Sequence, residues 1–499
     1  MPLARWLGSR LAPRPAREAP PARRPSFRLR VEDLEDRSVP ATLDYSATLA
    51  GQTTYGIAVD AAGDSYVTTS NSSTHVGAVY KFSPAGTLLA SNPSVSAGGA
   101  GIALDAAGNV YLHRGAVVTE LDPTLQQTLF SVTLPGAGTG SYGGPEGGTS
   151  WYGAVAVAGG KIYAVGTARA GLPTTSTAAQ PTYPGAATGR ANAYLAVIDP
   201  SSSASYHLTY CTYLGGAAGL SRGDSASGVA VDAAGVAYLT GSTASSDFPT
   251  TSGAFQTVYR AGSTNQYWSA FVTKVDPSQA GAASLVYSTF LGGAGATGYV
   301  SRGGAVATGE SSPSIAVDGA GSAYVAGSTS AADFPTTAGA FQRTFAPLPA
   351  ISYPIGHAFV TKFTPTGGGL AYSTFLGGSR MDGAGGIAVD AAGHAWVTGW
   401  TRSSDFPTVN PLQPQHAADP VLTKQQAKNT TPSVLGLNSD AFVTELDTTG
   451  GGLLFSTYWG GSGDDYGMVI GLDAAGNVFV AGYTPGSYSL TGFVLKIRP

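Results

Sequence analysis

The chain has 499 residues, of which 43% are hydrophobic and only 11% charged, with 70 glycines and a formal net charge of −4. That length can bury a large core, and the single cysteine, Cys211, excludes an internal disulfide framework. No run of about 18 apolar residues occurs, which excludes a helical membrane span, and a net acidic body argues against nucleic acid as a partner.

The first residues, "MPLARWLGSRLAPRPAREAPPARRPSFRLR", are rich in arginine and proline. Residues 1–42 hold nine arginines against five acids. Such a stretch cannot bury enough apolar surface to order itself, so residues 1–41 are read as a disordered or processed leader. It lacks the apolar core of an ordinary secretory signal, and no hydrophobic run follows Arg23-Arg24. The next stretch, "VEDLEDRSVPAT", resembles a short N-terminal segment of surface or secreted proteins of certain large-genome bacteria. The likeness is carried chiefly by Leu34, Glu35, Arg37 and Pro40, and it implies export.

From residue 42 onward one phrase recurs. "GIAVDAAGDSYVT" begins at Gly56, "GIALDAAGNVYL" at Gly101, "GVAVDAAGVAYLTG" at Gly228, "SIAVDGAGSAYVAG" at Ser314, "GIAVDAAGHAWVTG" at Gly386 and "IGLDAAGNVFVAG" at Ile470. A worn copy, "AVAVAGGKIYAVG", begins at Ala154. The copies lie 45 to 86 residues apart. The shortest spacing matches a four-stranded propeller blade of about 40–45 residues, and the longer ones add loops to it.

Each copy predicts four strands. Strand A is "IAVD" and its relatives, alternating small and large apolar residues as an inner strand should. Strand B is "AYVTG". Strand C is "AFVTK" at Ala270 and Ala358, "AFVTE" at Ala441 and "GFVLK" at Gly492. Strand D is "YCTYLGG" at Tyr210, "YSTFLGG" at Tyr287 and Tyr372, and "FSTYWGG" at Phe455. Cys211 stands where the sister D strands have serine (Ser288, Ser373, Ser456) and reads as a strand residue, not a nucleophile. The segment "LDYSATLAG" from Leu43 matches a D strand, and the chain ends on a C strand. The expected fold is therefore an all-β, seven-bladed propeller of four-stranded antiparallel blades over residues 42–499, its ring closed by the N-terminal strand.

The combination of YSTFLGG, IAVDAAG, DFPTT and AFVTK resembles the SBBP repeat, a seven-bladed β-propeller family of bacterial extracellular proteins. Residues 206–499 carry it most strongly. The resemblance implies a propeller at the cell surface or secreted, and it brings no catalytic residues.

Asp60, Asp105, Asp232, Asp318, Asp390 and Asp473 each open a D-x-A-G turn. A short carboxylate at a turn start accepts backbone N–H bonds, so these six read as structural. The A–B and C–D turns share one face and are short. The B–C and D–A loops share the other and carry the inserted length, including Gly136 onward, Gly292 onward and about Thr408–Ser439. Binding usually lives on such loops. "SDFPTT" at Ser246 and "GAFQ" at Gly253, with their relatives, read as buried loop anchors. "RGD" at Arg222 reads as chance. The six histidines (His75, His113, His207, His357, His394, His416) show no metal-ligand spacing.

Five residues before strand A, blades four to seven carry Asp224, Glu310, Asp382 and Asp465, where blades one to three carry Gln52, Ala97 and Ser150. Asp464 adjoins one of them, and Arg222, Arg302 and Arg380 lie in the same loops. Two readings stand: a binding rim for a hard cation such as Ca²⁺, with Asp224, Glu310, Asp382 and Asp465 as ligands, or four carboxylates each tying down its own loop. The expected function is an extracellular or surface binding module, monomeric, taking a protein or glycan on the long-loop face. One alternative is a metal-dependent enzyme of the lactonase or lyase type at the channel mouth, with His357 as the nearest base. Another is a structural surface or matrix component.

Overall fold

The sheets confirm the ring. A computed structural model of the chain describes residues 43–71, 74, 76–93, 95, 101–138, 153–202, 207–218, 223–260, 267–294, 299–300, 306–309, 311–344, 356–417, 438–485 and 490–499. The leader falls outside these residues. Seven antiparallel sheets follow one another. Blade one is Gln52–Val59, Ser65–Asn71, Gly77–Phe82 and Leu88–Asn92. Blade two is Gly101–Leu104, Val110–Arg114, Val117–Leu121 and Thr128–Thr133, and blade three is Ala154–Ala158, Lys161–Ala168, Asn192–Ile198 and Leu208–Leu214. Blade four is Asp224–Val231, Ala237–Thr243, Tyr267–Val275 and Leu285–Leu291. Blade five is Ser311–Val317, Ala323–Thr329, His357–Phe363 and Leu370–Leu376, and blade six is Asp382–Val389, Ala395–Thr401, Asp440–Leu446 and Leu453–Trp459.

Blade seven draws on both ends of the chain. Its strands A to C are Tyr466–Leu472, Val478–Pro485 and Leu490–Ile497, and its fourth is Leu43–Ala50, paired antiparallel from Leu43↔Ile497 to Ala50↔Thr491. The A strands lie side by side around the centre, blade seven against blade one included. Blade four departs from the four-stranded plan. The loop leaving it forms a hairpin, Tyr299–Val300 with Val306–Gly309, whose second strand runs parallel to the start of strand C.

Each A–B hairpin is made by local chemistry. Oδ1 of Asp60 accepts the N–H groups of Ala62 and Asp64, both at 2.9 Å, and Asp318, Asp390 and the other hairpin aspartates repeat the pattern. The glycine that follows takes the left-handed conformation the turn requires, as at Gly63 with φ 82°. Blade three turns differently. Gly159 and Gly160 both have positive φ, and Ala158 pairs directly with Lys161, a two-residue hairpin.

The core lies between blades, not within them. Seven buried clusters each join one blade to the next. Tyr163, Leu195 and Tyr210 of blade three meet Leu239, Phe271 and Phe290 of blade four. Ala47, Leu49, Ala481 and Val494 of blade seven meet Val67, Tyr80 and Phe82 of blade one, which seals the circle.

Cys211 sits inside this packing, fully buried opposite Ala196. In blades four, five and six the same register holds a hydrogen-bonded pair: Thr273 with Ser288, Thr361 with Ser373 and Thr444 with Ser456, at 2.8–2.9 Å. Blade three replaces both hydroxyl partners with apolar groups, a swap that need cost little. Burial pushes the Cys211 thiol up to about 12. The native protein is expected to leave this thiol unmodified by an aromatic disulfide reagent that titrates it fully after denaturation. Rapid modification of the folded chain would refute this.

Candidate functional site

The carboxylates that open strand A point inward. Asp224 and Asp382 are wholly buried and Asp465 nearly so. Asp224 accepts from Thr243 Oγ1, from Ser245 Oγ at 3.1 Å, from the Gly216 N–H at 3.0 Å and from Asn192 Nδ2 at 2.8 Å. Asp382 repeats this with Thr401 Oγ1, Ser403 Oγ at 3.2 Å and the Gly378 N–H at 3.0 Å. Asp465 accepts from Thr484 Oγ1 and from the Gly461 N–H at 2.8 Å. Each carboxylate thus joins the end of its own strand B to the D–A loop that precedes it. Burial pushes all three carboxyls up, while the hydroxyl and backbone donors act to hold them down.

A further partner comes from the preceding blade. The first residue of strand C there is Asn192 facing Asp224, and His357 facing Asp382 with Nδ1 at 3.4 Å from Oδ2. In blade six the same register holds Asp440, and a Cβ on Gly460 would lie beside both Asp440 Oδ1 and Asp465 Oδ2. His357 is therefore enclosed against Asp382 and not open at the channel mouth, where the enzymatic reading needs a base. In blade one, Gln52 takes the same register and accepts from Thr69 Oγ1 at 2.9 Å.

The structure does not bring Asp224, Asp382 and Asp465 to one point. Among the described residues, one group of three His, Cys, Asp or Glu side chains converges within metal-binding reach, and it is Asp390, His394 and Glu445. Asp464 accepts the Ser439 N–H at 2.8 Å and lies 3.9 Å from Arg402, an arginine the sequence reading passed over. Arg380 donates its backbone N–H to Ser403 Oγ at 2.8 Å. Glu310, Arg222 and Arg302, with Ala97 and Ser150, lie outside the described residues.

The B–C insertions of blades three to six are described over residues 169–191, 244–260, 330–344 and 402–417, while 418–437 of the blade-six insertion lies outside the described residues. They do not begin as free loops on the long-loop face. Each runs beside the outer strand of its own blade. Thr175, Thr251, Thr337 and Val409 donate backbone N–H groups to the carbonyls of Cys211, Ser288, Ser373 and Ser456. Gln180, Gln256, Gln342 and Gln413 then accept, through Oε1, the N–H of the glycine that follows strand D. An exposed strand edge invites pairing with another chain, and these segments cover it.

The insertions also reach the next blade. The Phe255 N–H donates to Gly367 O at 2.9 Å, and the Phe341 N–H to Gly450 O at 2.8 Å, both carbonyls lying in the neighbouring C–D turn. Phe248, Phe334 and Phe406 are the plugs expected of them, buried against Phe271, Phe359 and Phe442 at 4.5–4.6 Å between ring centroids.

The long-loop face also carries a recess. A cavity of ≈ 400 Å³ opens there at blade two, lined by Val95, Leu112, Thr119 and the tight turn Arg114–Gly115–Ala116–Val117. Its floor belongs to the apolar layer between blades one and two. Arg114 contributes the one charged group of the lining.

Ring, blades and inter-blade core define the molecule as a seven-bladed β-propeller. Residues 311–335, from strand A of blade five into its insertion, match the family model of the SBBP beta-propeller repeat. Three solved structures are similar to it. The Dos1 propeller is 9% identical, with TM-score 0.35, over 89% of this chain and 77% of that one. A chain of the mitotic checkpoint complex is 7% identical, with TM-score 0.41, over 94% of this chain and 99% of that one. Kluyveromyces lactis Hsv2 is 7% identical, with TM-score 0.37, over 88% of this chain and 96% of that one. No curated protein matches the chain. Among the described residues no helix is long and apolar enough to cross a membrane.

Proposed function

We propose that the protein is an extracellular interaction module that engages a protein or glycan through its long-loop face. One observation carries this reading: the two faces differ. One is built from short hairpins fixed by their own aspartates and glycines. The other receives, by sequence, the longer D–A loops, and it holds the cavity beside Arg114. Variable loops on a rigid scaffold, with an apolar recess and a few polar groups, are the usual form of a recognition site. The SBBP-type repeat supports a location outside the cell. The buried Asp224, Asp382 and Asp465 serve this reading as ties that hold the loops in place, in preference to ligands for Ca²⁺.

The test is a screen of the full chain against immobilised glycans and surface-protein fractions, run beside Arg114→Glu and Thr366→Glu. The first variant changes the long-loop face and the second the hairpin face. Binding that Arg114→Glu weakens at least tenfold and Thr366→Glu leaves intact supports the proposal. The reverse pattern, or no ligand in either class, overturns it.

A further inference from the structure

The hairpin face carries one arrangement that breaks the pattern of its sisters. In most blades the second oxygen of the hairpin aspartate is satisfied in a fixed way. A tyrosine six residues on donates its hydroxyl to Oδ2: Tyr66, Tyr111, Tyr238 and Tyr324 do so at 3.1–3.3 Å. Opposite that aromatic, strand C places a lysine in blades one, four and five, and Glu120 in blade two. In blade five Lys362 Nζ lies 3.1 Å from Asp318 Oδ2, and in blade one Lys81 Nζ lies 3.0 Å from Asp64 and 3.8 Å from Asp60. The fold thus builds a small cation-accepting corner on this face and, in blades one and five, fills it with an ammonium group.

Blade six changes all three positions. Trp396 replaces the tyrosine and removes its hydroxyl. Glu445 replaces the lysine, paired opposite Trp396 as Lys362 is opposite Tyr324. His394 stands at the hairpin position held by Asp64, Asn109, Val236, Ser322 and Asn477 in other blades. The corner has lost its cation and gained a second carboxylate. His394 Nδ1 now lies 3.0 Å from Asp390 Oδ2 and 3.3 Å from Glu445 Oε1, and the three groups fall within 4.8 Å of one another.

We propose that Asp390, His394 and Glu445 bind a divalent transition-metal ion of the zinc class, in the place where blade five holds the Lys362 ammonium. The chemistry of the donors selects the ion. One imidazole with two carboxylates is a borderline set that suits zinc, whereas Ca²⁺ takes oxygen alone. A tetrahedral ion with bonds of about 2.0–2.1 Å has ligands about 3.3 Å apart, close to the two separations found here. The corner is also pre-set. Asp390 Oδ1 is held by the N–H groups of Ala392 and His394, which leaves Oδ2 aimed at the site. The side chains are 12–27% exposed, so an ion can enter, and a fourth position stays open to water or to a donor from another molecule. Burial raises the Glu445 carboxyl, with His394 opposing and Asp390 reinforcing, as expected where two carboxylates share a corner without a fixed cation.

The test uses the full chain, stripped with EDTA and dialysed, then titrated with Zn²⁺ alone by calorimetry and with Co²⁺ by visible spectroscopy. The wild type should take up one equivalent, give a tetrahedral Co²⁺ spectrum and melt at a higher temperature with Zn²⁺. His394→Asn restores the residue of blades two and seven, and a His394→Ser/Glu445→Lys double variant restores blade five. Both should melt like the metal-free wild type and lose at least about tenfold in affinity. No uptake by the wild type, or equal uptake by the double variant, overturns the proposal. The site lies on the hairpin face, so its failure would not touch the proposed binding role of the other face.

Discussion

Replacing Asp382 by alanine is expected to cost about 3–5 kcal/mol of folding stability. The carboxylate is wholly enclosed. Its removal strands the hydroxyls of Thr401 and Ser403 and the Gly378 N–H, and it takes away the group that faces His357. A buried donor left without an acceptor costs about 1–3 kcal/mol, and here several are orphaned together. Asp382→Asn should be milder, since its carbonyl can still accept from Thr401, although its amide then faces other donors. Urea unfolding of the two variants beside the wild type measures the difference. A loss below about 1 kcal/mol for Asp382→Ala would mean that water enters the site and that the carboxylate is no loop tie.

Gly367→Ala is the second large effect, expected at about 2–4 kcal/mol. Gly367 sits in the C–D turn of blade five with φ 69°, a region that costs an L-residue about 1–2 kcal/mol. The new Cβ would also fall 2.3 Å from the ring of Tyr287, which is fully buried. The ring cannot retreat, because it belongs to the packed layer between blades four and five. Gly450 repeats the arrangement against Tyr372 and should respond alike. Gly253→Ala is the internal control. Its φ is 79°, yet a Cβ there would meet nothing within 4 Å, so only the conformational cost remains. Thermal melts that shift equally for Gly367→Ala and Gly253→Ala would show that the tyrosine ring yields.

The strands and the ring were legible because they rest on local signals. An apolar alternation, then Asp-x-x-Gly, then a second alternation is enough to make one hairpin, and the chain writes it again and again. The closing strand was legible because Leu43–Ala50 has the D pattern that the last blade lacks. The path of the insertions was not. Thr251 and Gln256 are positioned by Ser288, Thr289 and Gly292, far along the chain, and no periodicity marks such a contact. The recurrence of a glutamine at Gln180, Gln256, Gln342 and Gln413 was the available sign.

The register of Asp224, Asp382 and Asp465 could be read from sequence, but not the direction of the side chains. That depends on a hydroxyl at the end of strand B and on the residue that opens strand C one blade earlier. The convergence of His394 with Glu445 stayed hidden for a related reason. Spacing rules look for ligands close together in the chain, and here the third ligand arrives from another strand of the sheet. The change from "AFVTK" to "AFVTE" was the trace it left.

The seam of the ring also decides how the molecule answers to tension. Leu43 and Ile497, the first and last residues of the closing pair, face each other across two antiparallel strands. A pull on the chain just outside them would not shear the seam along its length. It would load the outermost rung, then the next, and draw the strands apart like a zipper. The pairing that closes the seam at rest is therefore also the mechanical weak point of the ring.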